Sequence, residues 1–176
     1  FELFFDNFFV PEANMLGGTG GEGKGFYYAM AGFSGGRIQT AARAVGVMRA
    51  AFEKSISYSK DRIVFGNSIA QYQLTQVKLA RMASLILACR QITYEVAHLM
   101  DSGTGDMEAS AAKLFAGRAA AWLTREALQI HGGMGYAEET PVSRYFADAR
   151  VLSIFEGAEE TLALKVIGRS LVENAG

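Results

Sequence analysis

The sequence predicts an all-α fold, an antiparallel four-helix bundle preceded by a short strand remnant of a β-domain. Only two prolines, Pro11 and Pro141, occur in the 176 residues, and the long run between them favours long helices. Apolar side chains recur every three or four residues from Leu79 to Leu99, which is the spacing of a helix packed in a bundle. Nine of the 20 glycines lie in the first 36 residues, so the glycine excess is confined to the start of the chain.

The predicted helices cover residues 25–60, 69–100, 107–131, 141–149 and 158–173. The first is expected to be loosened near Gly32, Gly35 and Gly36, because glycine in a helix costs about 1 kcal/mol relative to alanine. Asp106 is a suitable N-cap for the third helix. Gly132-Gly133 can take the left-handed conformation that ends that helix.

The first 24 residues differ in character from the rest. The apolar run from Phe1 to Val10 predicts a buried strand, and Gly17 to Gly25 predicts a glycine-rich turn. Part of that turn nearly matches a phosphate-binding loop, but Gly25 stands where the magnesium-binding serine or threonine belongs, so we interpret it as a connector. We therefore expect residues 1–24 to be the end of a preceding β-domain with a linker, and 25–176 a helical bundle domain. The chain is expected to be a fragment of a longer protein, so a targeting segment would not be visible.

Composition excludes several classes of protein. There are 17 basic and 18 acidic residues, a net charge of -1, without the basic excess of a nucleic-acid binder. Half of the chain is hydrophobic, which argues against disorder. The uncharged stretches are too short and too polar to span a bilayer, so no membrane association is predicted. Cys89 is the only cysteine, and neither a disulfide framework nor a metal site is predicted.

Two arginines are candidate ligand contacts. Arg37 follows Gly35-Gly36, so it either donates to a phosphate or adenine-bearing ligand or lies on the surface beside a kink. Arg62 lies in the connection between two helices, next to Phe65 and Gly66. The Arg62 side chain either binds an anionic ligand or faces solvent.

The end of the third helix carries more glycine than one helix end needs. Three glycines follow Gln129 and His131, which hints at backbone amides that approach a phosphate or a ring. His131 fits a packed or capping histidine as well as a chemical one.

Glu156 is the candidate acid or base. It follows the apolar run from Val151 to Phe155 and precedes Gly157. A carboxylate desolvated on such a wall can act as a general base. The alternative is an acid that complements the dipole of the following helix.

Five short motifs stand in a fixed order: Arg62-x-x-Phe65-Gly66, Gln129 to Tyr136, Pro141-Val-x-Arg144, Asp148-Ala149 and Phe155-Glu-Gly157. In this order and spacing the set resembles acyl-CoA dehydrogenases, and the match covers nearly the whole chain. By this resemblance, residues 1–25 correspond to the end of that family's middle β-domain. The remainder corresponds to its C-terminal four-helix domain.

The resemblance implies oxidation of an acyl-CoA thioester to the 2,3-enoyl-CoA with FAD. A carboxylate takes the α-proton while the β-hydrogen leaves as hydride to flavin N5, and Glu156 stands at the position of that base. Phe33 and Arg37 would contact CoA. The residues expected to contact FAD are Arg62, Phe65, Gln129, Gly133 and Glu160. The FAD would belong to the neighbouring subunit of a homodimer or homotetramer, with electron-transfer flavoprotein as the redox partner.

The chain departs from the family pattern where Ala158 replaces a common threonine and Glu160 replaces a common glutamine. Gly36 stands near the position where relatives of the isovaleryl type carry their base, and it has no carboxylate, so Glu156 is the expected base. Around Gly35 to Ala44 the chain is similar to members that act on dicarboxylic acyl-CoAs such as methylsuccinyl-CoA.

Two alternatives remain open. One is a non-catalytic helical oligomerisation module, and the other is a related flavin acyl-CoA oxidase or oxygenase. The isolated fragment is expected to be inactive. Bacterial cytoplasm and mitochondrial matrix are the expected compartments.

Overall fold

The computed structural model describes residues 2–173, which are mostly helical. The α-helices in this range are α1 (Gly25–Asp61), α2 (Gln73–Asp101), α3 (Asp106–His131), α4 (Gly133–Tyr136), α5 (Pro141–Val151), α6 (Glu159–Thr161) and α7 (Arg169–Glu173). A π-helical segment, Leu162–Gly168, joins α6 to α7. Short 3-10 turns lie at Glu12–Asn14, Gly18–Gly21 and Ile69–Gln71. The all-α prediction is confirmed.

A small hairpin that the sequence did not predict connects α1 and α2. Its strands β1 (Ile63–Val64) and β2 (Asn67–Ser68) are antiparallel, with Ile63 opposite Ser68 and Val64 opposite Asn67. The Tyr72 hydroxyl donates to the carbonyl oxygen of Val64 at 2.7 Å and braces the hairpin.

Helix α1 runs without interruption through its glycines, so the expected loosening near Gly32, Gly35 and Gly36 is wrong. Each glycine costs only about 1 kcal/mol, and the packing of a long helix readily offsets that amount. Thr40 also donates its hydroxyl to the carbonyl oxygen of Gly36 at 2.9 Å, which supports the backbone there.

The opening strand predicted for residues 1–10 is not formed in residues 2–10, and Phe1 lies outside the described residues. Residues 2–10 form neither helix nor strand, and their side chains are exposed. A strand needs a neighbour for its backbone hydrogen bonds, and none of residues 2–173 pairs with this segment. The glycine-rich turn is present: Gly17 has a φ of 78°, and a Cβ there would lie 3.0 Å from Cζ of Tyr28.

The described residues form two compact units. The first ends at Phe33 and the second begins at Ser34, so the division falls within α1. The domain boundary expected after residue 24 lies at the beginning of α1 and stays a prediction.

The core of the second unit is built around α3. This helix contacts α2, α5, α4 and the π-helical segment. Its buried apolar side chains are Ala109, Ala112, Ala116, Ala119, Ala120, Leu123, Ala127 and Ile130. Small residues let neighbouring backbones approach closely. Four residues, Ser102 to Gly105, connect α2 to α3, a length typical of antiparallel neighbours.

The two ends of α3 test the predicted caps. Gly105, with a φ of 94°, occupies the N-cap position and Asp106 is the first helical residue, so the predicted Asp106 cap is wrong. A left-handed N-cap suits glycine, and the Asp106 carboxylate instead accepts a hydrogen bond from Ser34. At the other end the helix stops at Gly132, as predicted, but the φ of 58° and ψ of -136° of this glycine are not the left-handed helical conformation that was expected.

Candidate active site

Glu156 lies in a strained loop between α5 and α6. We call residues Ser153 to Ala158 the Glu156 loop. Glu156 has a φ of 56° and Gly157 a φ of 100°, so two successive residues are left-handed. A non-glycine residue in this region costs of order 1–3 kcal/mol and persists only where its surroundings hold it. Across the loop, the amide of Glu159 donates to the carbonyl oxygen of Ser153 at 3.2 Å.

The side chain of Glu156 lies directly over Gly36 of α1. A Cβ built on Gly36 would sit 2.8 Å from Cδ and 3.2 Å from Oε1 of Glu156, too close for any side chain to coexist with this carboxylate. Oε2 is buried and has no hydrogen-bond partner among the described residues. The bare backbone at Gly36 therefore provides the space that the carboxylate occupies.

Arg37, the next residue of α1, is also incompletely paired. Its Nη1 donates to the Ser110 hydroxyl at 3.3 Å, while its Nε is buried without a partner in the described part of the chain. Buried polar atoms are paired in the great majority of cases. An unpaired carboxylate oxygen over Gly36 and an unpaired donor on Arg37 are therefore both available to a ligand.

The apolar run that precedes Glu156 is buried only in part. Leu152 is buried and Phe155 packs against the core, whereas Val151 and Ile154 are 47% and 53% exposed. The Arg43 guanidinium lies 6.0 Å from the centre of the Phe155 ring. The predicted hydrophobic wall is therefore limited to Leu152 and Phe155.

Lys113 of α3 is a site residue that sequence reasoning missed. It is fully buried, and its Nζ donates to the carbonyl oxygen of Gly157. Burial lowers the pKa of this ammonium, and the nearby carboxylate of Glu159 opposes that shift. The sequence held one signal: Lys113 falls on the same helical face as Ala109, Ala112 and Ala116.

Four of the five predicted cofactor contacts gather at another part of the bundle. Phe65 and Gln129 line a groove of about 620 Å³, while Arg62 and Gly133 line a neighbouring groove of about 500 Å³. The grooves share Val64, Ile69 and Ile130. We call the hairpin, with Arg62, Gln129 and Gly133, the hairpin end.

The hairpin end is open. Phe65 is 92% exposed at the hairpin tip, and the side chains of Arg62 and Gln129 are exposed as well. Phe65 has a φ of 51° and Gly66 a φ of 80°, the paired positive values of a tight two-residue turn.

The remaining predicted contacts lie apart from these residues. Glu160 is exposed on α6. Phe33 is 40% exposed and ends the first compact unit. The roles predicted for both residues stay predictions.

His131 is a packed histidine. Its Nδ1 donates to the carbonyl oxygen of Ala127 at 2.8 Å, and its ring stacks on Tyr58 with 4.4 Å between ring centres. Burial lowers its pKa, which favours the neutral ring. Of the interpretations of His131, the packed histidine is therefore the one found in the structure.

Residues 2–173 contain no group of three or more histidine, cysteine, aspartate or glutamate side chains placed to hold a metal ion. In the same range, every helix falls short of the length and apolar character that crossing a bilayer requires.

The sequence profile described as acyl-CoA dehydrogenase, C-terminal domain, matches residues 23–172. The chain belongs to the acyl-CoA dehydrogenase family. This confirms the resemblance found in the motifs. Relatives of this acyl-CoA dehydrogenase chain include bacterial and mitochondrial enzymes.

Three similar proteins illustrate the match. The (2S)-methylsuccinyl-CoA dehydrogenase of Cereibacter sphaeroides is 45% identical over 98% of this chain and 31% of its own length. The structure of butyryl-CoA dehydrogenase from Megasphaera elsdenii is 41% identical, with a TM-score of 0.82, over 86% of this chain and 39% of that one. A chain from a structure described as the electron transferring flavoprotein of Acidaminococcus fermentans is 38% identical, with a TM-score of 0.84, over 87% of this chain and 40% of that one. The chain thus spans 31% to 40% of the length of these proteins.

Proposed function

We propose that the chain is the C-terminal part of an FAD-dependent enzyme that oxidises an acyl-CoA thioester to the 2,3-enoyl-CoA. Glu156 is the base that takes the α-proton. The observation that carries the proposal is the buried Oε2 of Glu156, which lies over Gly36 without a hydrogen-bond partner in the described chain.

This arrangement suits the removal of a weakly acidic proton. An α-proton of a thioester leaves only to a base that is desolvated and held close to it. Hydrogen bonds to the carboxylate would stabilise its charge and weaken it as a base. The unpartnered oxygen of Glu156 avoids that loss, and the constrained loop orients the carboxylate in advance.

Members of this family are FAD-dependent flavoproteins. When bound, FAD supplies the acceptor for the hydride that leaves the β-carbon. The residues proposed to hold it are Arg62, Phe65, Gln129 and Gly133 at the hairpin end. They fit such a group: the Arg62 donors match a pyrophosphate, and the exposed face of Phe65 is free to stack on a ring.

The hairpin end is open to solvent, so we propose that a second copy of the protein completes this FAD site in a homodimer or homotetramer. Glu160 is proposed as an additional FAD contact. Its support is weaker, because it is exposed on α6, away from the four residues of the hairpin end.

The remaining assignments follow the same chemistry. Arg37, with its buried and unpaired Nε, is proposed to contact the acyl-CoA together with Phe33. Electron-transfer flavoprotein is the proposed electron acceptor, which the similarity to a chain in a structure of that name supports. Short dicarboxylic acyl-CoAs are the proposed substrates, supported by the match to methylsuccinyl-CoA dehydrogenase. The proposed compartment is the bacterial cytoplasm or the mitochondrial matrix.

The test is anaerobic flavin reduction in the full-length parent protein, mixed with short, branched and dicarboxylic acyl-CoAs. We expect the oxidised flavin band to bleach with one substrate class, and Glu156→Gln to slow bleaching by on the order of 10²- to 10⁴-fold. The FAD content should not change. Glu53→Gln, an exposed acid on α1, is the control and should match the wild type.

Three results would contradict the proposal. A flavin-free protein that no thioester affects would favour the assembly module. A Glu156→Gln protein that bleaches at the wild-type rate would remove the base assignment. Peroxide formation in air, without reduction of electron-transfer flavoprotein, would favour an oxidase.

A further inference from the structure

We propose that Lys113 is a positioning residue for Glu156: from α3 it holds the carbonyl of Gly157, and with it the left-handed backbone that places the carboxylate over Gly36. The inference rests on the proposed role of Glu156. Lys113 itself touches neither the substrate nor the cofactor in this proposal.

The Glu156 loop is clamped from two sides. On one side, the fully buried Lys113 donates from Nζ to the carbonyl oxygen of Gly157. On the other, a Cβ at Gly157 would lie 3.0 Å from Cδ2 of Leu162, which is 1% exposed. The peptide next to Glu156 therefore has little freedom to rotate, and the left-handed pair of residues is held in place.

One face of α3 contacts both Arg37 and the segment that leads into the Glu156 loop. Ser110, Lys113 and Gly117 follow each other at spacings of three and four residues, which puts them on one face. Ser110 accepts a hydrogen bond from Arg37. A Cβ at Gly117 would lie 3.5 Å from the carbonyl oxygen of Leu152, at the end of α5. Lys113 thus lies between the contact to Arg37 and the contact to the start of the loop.

Charge explains why a lysine is tolerated there. An unpaired buried ammonium is strongly unfavourable. Burial lowers the pKa of Lys113, Arg37 lowers it further, and the carboxylates of Glu159, Glu156 and Glu160 raise it. The surrounding carboxylates therefore offset part of the cost of burying the ammonium.

Arg118 provides a matched control. It also lies on α3 and also reaches the region after the Glu156 loop, where it pairs with Glu159. Its side chain is 63% exposed, and it makes no contact with Gly157 among its hydrogen bonds in the described residues. Exposed ion pairs contribute little, so Arg118→Met should leave the reaction almost unchanged.

The experiment compares Lys113→Met with Arg118→Met in the full-length flavoenzyme. Flavin reduction at saturating acyl-CoA is measured together with thioester affinity, FAD content and thermal midpoint. We expect Lys113→Met to slow reduction on the order of 10- to 100-fold, because small misplacements of a reacting group are costly. Thioester affinity should hardly change, because a residue that acts only by positioning the base leaves ground-state binding of the substrate intact.

Two further variants keep the test decisive if Lys113→Met does not fold. Lys113→Arg retains the charge and the donors, and should keep most of the wild-type rate of flavin reduction. Lys113→Gln retains a donor on a shorter side chain without the charge, and should reduce flavin more slowly at unchanged thioester affinity. A lower thermal midpoint with wild-type reduction, or identical reduction rates for Arg and Gln, would overturn the inference.

The outcome separates the two proposals. If Glu156→Gln abolishes reduction while Lys113→Met reduces flavin normally, only the positioning role fails. If Glu156→Gln reduces flavin normally, the base assignment fails whatever Lys113→Met does.

Discussion

The Glu156 loop and the hairpin end share one backbone conformation but place their side chains in opposite environments. In each, a left-handed non-glycine residue precedes a left-handed glycine: Glu156 with Gly157, and Phe65 with Gly66. The first pair carries a carboxylate into the interior, where its Oε2 is buried. The second places the aromatic ring of Phe65 outside the bundle, where the residue is 92% exposed.

The two loops also differ in what holds them. Lys113 and Leu162, from other elements, constrain the Glu156 loop. The hairpin is held locally, by pairing of β1 with β2 and by the hydrogen bond from Tyr72. In our proposal, the proton-transfer group thus has a site prepared by its own chain. A large ligand such as a dinucleotide can instead be met by an open surface, which in our proposal a second subunit closes.

Among changes to the surroundings of these two loops, the largest effect should come from Gly36→Ala. The added methyl would lie 2.8 Å from Cδ of Glu156, so the carboxylate must move, although the flexible side chain lets it do so without unfolding. We expect flavin reduction to fall on the order of 10²-fold. The thermal midpoint should hold or rise, because alanine favours helix over glycine by about 1 kcal/mol.

Gly35→Ala is the matched control for that change. A Cβ at Gly35 meets nothing within 4 Å, so this variant should gain helix stability and keep its rate. Equal rates for the two variants, measured by anaerobic stopped flow, would break the claim that bare backbone at Gly36 makes room for the base.

An intermediate effect is expected at the hairpin end. Arg62→Ala should weaken FAD binding on the order of 10-fold, the amount expected for one hydrogen bond from a charged group. Because Arg62 is exposed, the stability of the flavin-free protein should not change. FAD release from the full-length protein measures the affinity. Arg81→Ala, an exposed arginine of α2 outside both grooves, is the control, and equal release from both variants would remove Arg62 from the site.

The smallest effect concerns acid stability. Burial lowers the pKa of His131, so the unfolded chain takes up a proton before the folded chain does. The stability that this neutral ring contributes is complete above its ordinary pKa of about 6.5 and is lost as the pH falls below that value. His131→Gln should therefore flatten the acid limb of thermal stability in the full-length protein. His98→Gln, at an exposed position of α2, should leave that limb unchanged.

Local signals were enough to predict most of the fold. The three long helices begin and end within a few residues of their predicted bounds, because periodicity and glycine punctuation act over short distances. The opening strand failed for the opposite reason, since a strand depends on a distant partner that a local pattern does not reveal. The Asp106 cap failed by one position, because Gly105 takes the left-handed conformation.

The site was predictable only in part. Motifs identified Glu156, Arg37 and Arg62 as candidates, but the contact between Glu156 and Gly36 joins residues far apart in sequence and needs the folded bundle. Lys113 was missed because a lysine in an alanine-rich helix usually lies at the surface.

Solvent-deuterium exchange at C2 of a bound acyl-CoA tests the central claim most directly, because it isolates proton removal from hydride transfer. The full-length wild type should introduce deuterium at the α-carbon. Glu156→Gln should retain FAD and bind the same thioester, but exchange on the order of 10²- to 10⁴-fold more slowly. Exchange by Glu156→Gln at the wild-type rate would show that another group takes the proton, and would contradict the account.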